Sequence, residues 1–155
     1  MTRKPFKKDL IVNKKALFDY NILEKFEAGI VLLGLEAKSL KQGKASLNGA
    51  YVVIKNHEAF LLNATISPYQ PQNTPQNYDP LRTRKLLLKS SEINYLFVKN
   101  KERGLTLIPL KVYNDNGLIK IQIALVKGKK KFDKREALKK KEVQRKIERA
   151  QKGEY

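Results

Sequence analysis

The sequence predicts a mainly β protein: an antiparallel barrel of about six strands with two or three short helices and a basic C-terminal tail. Three observations carry that prediction. Residues alternate with the strand period of two, most clearly Ile119, Ile121, Ile123 and Leu125 against Lys120, Gln122 and Ala124. Paired apolar runs flank short turn-forming segments and so read as hairpins, with no repeated strand–helix–strand rhythm. The composition then changes abruptly. From Lys127 the chain reads KGKKKFDKREALKKKEVQRKIERAQKGEY, with 13 Lys/Arg against 5 Asp/Glu. At 155 residues, one domain over 1–126 and an appendage over 127–155 account for the length.

Each element has a local reason. Residues 1 to about 10 form a basic arm, and Asn13 can cap a helical turn to Asp19. Asn21 to Leu35 holds two apolar stretches broken at Ala28-Gly29, which suits a barrel strand that bends or bulges there. Glu36 to Gln42 reads as a short helix stopped by Gly43. Ala50–Lys55 and Ala59–Ile66 enclose Asn56-His57-Glu58 as a hairpin. Ser67 to Pro80 is rich in Pro, Gln and Asn, a long loop of the kind that a compact domain keeps for function. Leu86–Leu88 is a brief strand or a helix lead-in. Ser90 or Ser91 can cap a helix to about Arg103, ended by Gly104. Leu105–Tyr113 and Leu118–Val126 surround Asn114-Asp115-Asn116-Gly117, a strong hairpin turn. Closing these strands into a barrel removes exposed edges, and an oligonucleotide-binding barrel fits the length and the charge.

The net charge is +18, of which the tail supplies eight, so the body is basic too. Nucleic acid is the expected partner, because phosphate neutralisation and counterion release give basic surfaces their affinity. A plain solvated basic domain is the bland alternative. An anionic membrane surface is disfavoured by the few large apolar residues of the tail and the absence of Trp. With no cysteine there is no disulfide framework or thiolate metal site. His57 is the single histidine, so no metal or other cofactor is expected. The charged start MTRKPFKKDL lacks the apolar stretch of a secretion signal, and no stretch of about 18 apolar residues occurs. The expected address is cytoplasmic, and the expected state monomeric.

In the tail, Asp133 and Glu136 can form a capping arrangement, and residues 134–151 are mostly good helix formers. The apolar stripe is thin (Val143, Ile147, Ala150), so the tail is expected to be disordered alone and helical when docked in an anionic channel. Gly128 is the expected hinge. A helix lying on the domain is the alternative.

Three separated motifs carry a resemblance: FEAGIVLLGLEAKSLKQGKASLNGAYV from Phe26, DPLRTRKLLL from Asp79, and KGKKKFDKRE from Lys127. In order and spacing, over nearly the whole chain, they resemble the small protein B family, the SsrA-binding proteins of bacterial trans-translation. The resemblance implies a non-enzymatic RNA-binding adaptor. It would bind the tRNA-like part of transfer-messenger RNA (tmRNA) and escort it to stalled ribosomes, with the tail entering the empty mRNA channel near the decoding centre. By the family pattern Asn13, Glu27 and Leu87 contact RNA, and Asp133, Lys134 and Arg135 engage the ribosome together with Lys127, Lys129, Lys130 and Lys131. The chain departs from the pattern at Leu17 and Phe18, where family members often carry basic residues or a histidine.

Physical roles follow for these side chains. Glu27 can accept hydrogen bonds from unpaired bases, or pair with a neighbouring Lys or Arg. Gly29 serves a close backbone approach to RNA or the bend of the strand. One of Leu86, Leu87 and Leu88 must point outward from a strand, where it can pack on a base, the alternative being burial under the long loop. Arg82, Arg84, Lys85, Lys38 and Lys44 are candidate phosphate contacts. Tyr51, Tyr69 and Tyr78 can stack on bases or pack at the rim. A ribosomal or initiation-type RNA-binding protein would share the basic barrel and tail. A ribonuclease using Glu27 or Glu36 would need a donor–acceptor pair that the sequence does not supply.

Overall fold

A computed structural model describes residues 7–129 and 131–151. In chain order the elements are β1 (Lys7–Val12), α1 (Lys14–Asp19), β2 (Tyr20–Ile30), α2 (Gly34–Lys41), β3 (Ala45–Ser46), β4 (Tyr51–Lys55), β5 (Glu58–Leu62), β6 (Thr65–Ile66), β7 (Arg84–Leu87), α3 (Ser90–Lys99), β8 (Leu105–Asp115), β9 (Leu118–Gly128) and α4 (Lys131–Gln151). The main sheet runs β1-β8-β4-β5-β7-β2-β9, and β9 pairs back onto β8. Six strands thus close a barrel, while β1 extends the edge of β8 and β3–β6 form a small separate ladder.

Turn chemistry sets the two hairpins. Asn116 and Gly117 have φ of 51° and 91°, the left-handed pair that a two-residue hairpin turn demands, and Asn114 Oδ1 accepts the Gly117 N–H at 2.8 Å. Asn56 and His57 do the same at 52° and 57°. That turn is one residue tighter than expected, because Glu58 already pairs with Lys55 as the first residue of β5.

The interior holds Leu40, Val52, Leu61, Leu86, Leu96, Leu107, Ile121, Ile123 and Leu125. The predicted alternation of β9 therefore holds for its inward residues. Its outward residues do not all meet solvent: Ala124 and Val126 are buried in a second cluster with Ile108, Leu110 and Ala16 of α1. The small helix α1 covers that part of the barrel.

Four other local expectations need correction. The bulge in β2 falls between Ile22 and Glu24, not at Gly29, which pairs regularly with Leu87 and Lys120. α3 is preceded by Lys89 rather than capped by a serine; Glu92 accepts the Lys89 N–H at 3.1 Å, and the helix stops at Lys99. β9 continues to Gly128, opposite Tyr20, so the ladder holds the glycine expected to hinge and also Lys127, opposite Asn21. α4 begins at Lys131, which places Asp133 inside its first turn instead of ahead of it.

Candidate nucleic-acid interface

The register of four strand pairs assembles one outer face. Ala28, Leu86, Ile121 and Val112 point into the core, so their chain neighbours point out. Leu87 on β7 faces Gly29 on β2, which faces Lys120 on β9, then Tyr113 on β8 and Asp9 on β1. The adjoining row carries Glu27, Gln122 and Lys111. Residues separated by about ninety positions in sequence thus become cross-strand neighbours.

Leu87 is 55% exposed on this face, so it is the outward member of the three leucines; Leu86 is buried and Leu88 packs against the core. Gly29 neither bends the strand nor lies open. A Cβ there would meet the Leu87 side chain at 3.3 Å, so the glycine leaves the room that the leucine occupies. Glu27 is exposed and acts electrostatically on Tyr113. The Tyr113 phenol is raised to about 12, first by burial and then by the negative charge of Glu27. Among the described residues its hydroxyl closes no well-formed hydrogen bond, although Glu27 is near enough to act on it as an acceptor, and the ammonium groups of Lys7 and Lys111 lie 5.9 and 5.7 Å from its ring centre. Lys111 pairs with Asp9 at 3.1 Å and Lys120 with Asp115 at 3.2 Å. The face therefore offers an exposed carboxylate among lysines beside an exposed leucine. Such a surface can accept base N–H groups, neutralise phosphates and pack on an unstacked base or ribose.

Lys120 was missed in the sequence. The alternation shows it pointing outward, but only the long-range pairing of β2 with β9 sets it beside Gly29 and Glu27.

Asn13 does not belong to this surface. It is buried, and both polar atoms of its side chain are used internally. Oδ1 accepts the Ala16 N–H at 3.2 Å as the cap of α1, Nδ2 donates to the Pro109 and Leu47 carbonyls at 2.9 and 3.3 Å, and the backbone N–H donates to Leu110 O at 2.8 Å. The cause is the irregularity in β8 between Pro109 and Lys111, which frees carbonyls from the ladder. Asn13 satisfies them and ties α1 to the barrel.

Arg84 is likewise no phosphate contact, since it is fully buried. As an inward residue of a strand its long side chain runs into the domain, where Nε donates to Glu36 Oε2 at 2.7 Å, Nη1 to Ala64 O at 2.7 Å and Nη2 to Pro80 O at 3.1 Å. Glu36, equally buried, also accepts from Arg82 Nη2 at 2.5 Å and the Leu33 N–H at 2.9 Å. Burial alone would push the Glu36 carboxyl up; the Arg82, Leu33 and Arg84 donors together outweigh it and hold the group below its ordinary value of 4.5. This cluster staples α2, the long loop and β7 behind the outer face. Arg82 keeps part of its side chain at the surface, where it also donates to Val31 O at 3.3 Å.

Lys85 lies two residues from Leu87 on the outward side and pairs with Glu58 at 3.4 Å. Lys38 and Lys44 form a separate spot, their ammonium groups 5.7 and 5.9 Å from the Tyr69 ring centre. The Tyr78 hydroxyl is taken by Ile66 O at 2.7 Å, which pins the long loop.

At the root of the tail, Lys129 donates its N–H to Asp19 O at 2.9 Å and its Nζ to Leu17 O at 3.3 Å. Lys131, Asp133, Lys134 and Arg135 fall in the opening turns of α4, with Arg135 exposed. Lys130 lies outside the described residues, as do residues 1–6 of the N-terminal arm. Among the described residues no group of three His, Cys, Asp or Glu side chains converges as a metal site, and no helix is long and apolar enough to cross a membrane.

The family model described as SmpB protein matches residues 10–153. The chain belongs to the SmpB family. An SsrA-binding protein of Sulfurihydrogenibium sp. is 52% identical over 146 residues, spanning 94% of this chain and 95% of its relative. An SsrA-binding protein of Enterococcus faecalis is 52% identical over 141 residues, 91% of each chain. Among solved structures, a chain from "tmRNA-SmpB: a journey to the center of the bacterial ribosome" matches with a TM-score of 0.68 and 40% identity, covering 84% of this chain and 95% of that one. The SmpB-family assignment thus extends over barrel and tail alike.

Proposed function

We propose that this chain is the RNA-binding adaptor of trans-translation. It binds the tRNA-like domain of tmRNA, delivers that RNA to stalled ribosomes, and passes its basic tail into the empty mRNA channel near the decoding centre. The observation that carries this is the outer face on which Leu87, lying over Gly29, sits beside Glu27 and Lys120. Lysines alone would bind any polyanion; a carboxylate and an exposed leucine among them favour presented bases over plain duplex. Relatives named SsrA-binding protein support the choice of RNA. The barrel with its N-terminal arm does the binding, and the segment beyond it acts on the ribosome.

The role is that of a carrier, not a catalyst. Glu27 stands opposite Gln122 and next to a phenol held protonated to about pH 12, so no partner beside it exchanges a proton near neutrality. The protein works as a monomer in the cytoplasm, where its ribosomal partner is. The test is a binding competition between the tRNA-like domain and a duplex of equal length at fixed salt. Preference for the tRNA-like RNA, reduced by Leu87→Asp and Lys120→Gln, is the expected result. Equal affinity for both RNAs would overturn the reading.

A further inference from the structure

A cleft of about 330 Å³ opens where β4 meets β8. These strands pair at one position, Val52 opposite Leu107, and part beyond it. On the outer side of that seam α1 overhangs the gap. Ala16 and Ile108, both from the second apolar cluster, line it, together with Tyr20 and Tyr51. Lys15 reaches it from α1. Gly49 also borders it, at φ +77°, and a Cβ there would meet nothing within 4 Å. Tyr51 is 38% exposed although it belongs to a regular strand.

The volume lies at the small end of ligand pockets. The lining is mixed, with Ala16, Ala50 and Ile108 beside Asn13, Asp19 and Thr106. An exposed tyrosine for stacking, polar groups for base edges and one lysine suit a planar nucleobase that carries a phosphate. We propose that this cleft holds a single unpaired RNA nucleobase, stacked on Tyr51 with its phosphate on Lys15. The site is distinct from the face of Glu27 and Leu87: the outward residues that α1 covers, Leu110, Ala124 and Val126, lie between them. Asp19, which also borders the cleft, accepts the Lys129 N–H through its carbonyl, so the base sits at the root of the tail. The inference rests on the reading of the chain as an RNA-binding protein and adds a second, single-stranded contact to it.

The test uses the full chain and a hexaribonucleotide carrying one 2-aminopurine, whose fluorescence is quenched by stacking. The wild type and Tyr51→Phe quench it on binding, and the amide signals of Gly49, Tyr51 and Thr106 shift together in the wild type. Tyr51→Ala loses the quench and binds the hexamer about five-fold or more weakly, the loss expected for one stacking contact. Lys15→Gln lowers the slope of log affinity against log salt by about one. An unquenched wild-type complex, or a quench that survives Tyr51→Ala, would overturn the proposal. If the tRNA-like RNA still bound through Leu87 in that case, the cleft alone would be refuted. If that RNA showed no preference either, the functional reading would fall with it.

Discussion

Leu87 lies across Gly29, its cross-strand partner, so closely that a Cβ on the glycine would stand 3.3 Å from the leucine Cβ and 3.4 Å from its Cδ1. The glycine is not in the left-handed region, so alanine is conformationally acceptable there. The exposed end of Leu87 can change rotamer, but its Cβ is held by the strand and must shift by a few tenths of an ångström. The stiffer unfolded chain and the tight Cβ contact oppose each other, so Gly29→Ala is expected to change thermal stability by no more than about 0.5 kcal/mol. Affinity for the tRNA-like RNA should fall by about 1 kcal/mol, the scale of one displaced base contact. Thermal melts and filter binding on the same preparation separate these effects. Parallel loss of stability and affinity would mean that Leu87 serves packing alone.

Glu36 and Arg84 make the opposite case, two charges enclosed entirely within the domain. Glu36→Gln leaves Arg84 buried without its counter-charge, an expected loss of about 3–5 kcal/mol by urea denaturation. The pH dependence has a definite sign. The folded carboxyl sits below 4.5, so its stabilisation is present above that value and is lost as pH falls from there through the lower folded pKa. Urea midpoints of the wild type should decline with acidification from about pH 5, while Glu36→Gln declines less steeply. A wild-type profile as flat as that of the variant would contradict the assignment.

Asn13 tests whether a motif position speaks for contact or for architecture. Asn13→Ala removes a helix cap and strands the Pro109 and Leu47 carbonyls in the interior, a combined cost of about 2–4 kcal/mol. Once corrected for the folded fraction, affinity for the tRNA-like RNA through the face of Leu87 and Glu27 should match the wild type, any loss being confined to the hexaribonucleotide in the cleft that Asn13 also lines. A specific loss of affinity for the tRNA-like RNA at full folding, with hexamer binding unchanged, would return Asn13 to the interface.

Local signals in the chain were strong enough to show the hairpins, α1 with its Asn13 cap, and the outward direction of one leucine in Leu86–Leu88. These follow from periodicity and turn chemistry, which act over a few residues. The partners of Gly29 and the burial of Arg84 were not legible. Both depend on which distant strands pair: β2 meets β7 and β9 through contacts that leave no local trace. Arginines in a basic segment read alike until the register turns Arg84 inward and Lys85 outward. Ala124 misled for the same reason, since only the docking of α1 makes its face a second core.

Glu27 and Tyr113 are coupled across the intervening strand. Burial and then the Glu27 charge raise the phenol from 10.0 to about 12. Glu27→Gln removes the carboxylate's charge and its acceptor contact but leaves burial and the charge of Asp115, so the Tyr113 pKa should drop but stay above 10.0. Site-resolved ¹³C NMR of the tyrosine ring would measure it. The raised value also contributes stability that is present below pH 10 and is lost as pH rises toward 12, because the unfolded chain ionises first. An unmoved Tyr113 titration would show that Glu27 faces elsewhere in solution.

The tail helix supplies the sharpest separation of charge from shape. Leu138, Val143 and Ile147 on α4 are each about half exposed, at 50%, 56% and 46%, so little of the helix's apolar stripe is buried in the free protein. A helix of that kind is marginal in water, and its stability must come from whatever surface it meets. Val143→Pro keeps every charge and costs the helix about 3 kcal/mol. If a cationic tether were all that the ribosome required, this variant would rescue stalled ribosomes normally. Because the docked helix is the working form in the proposed mechanism, the variant should bind the tRNA-like RNA as the wild type does yet fail in release of stalled complexes. Circular dichroism of the isolated tail segment should show low helicity in buffer and a rise on adding helix-promoting solvent, less so for the proline form. Rescue by Val143→Pro at the wild-type rate would assign the tail's work to its charge and remove the helix from the mechanism.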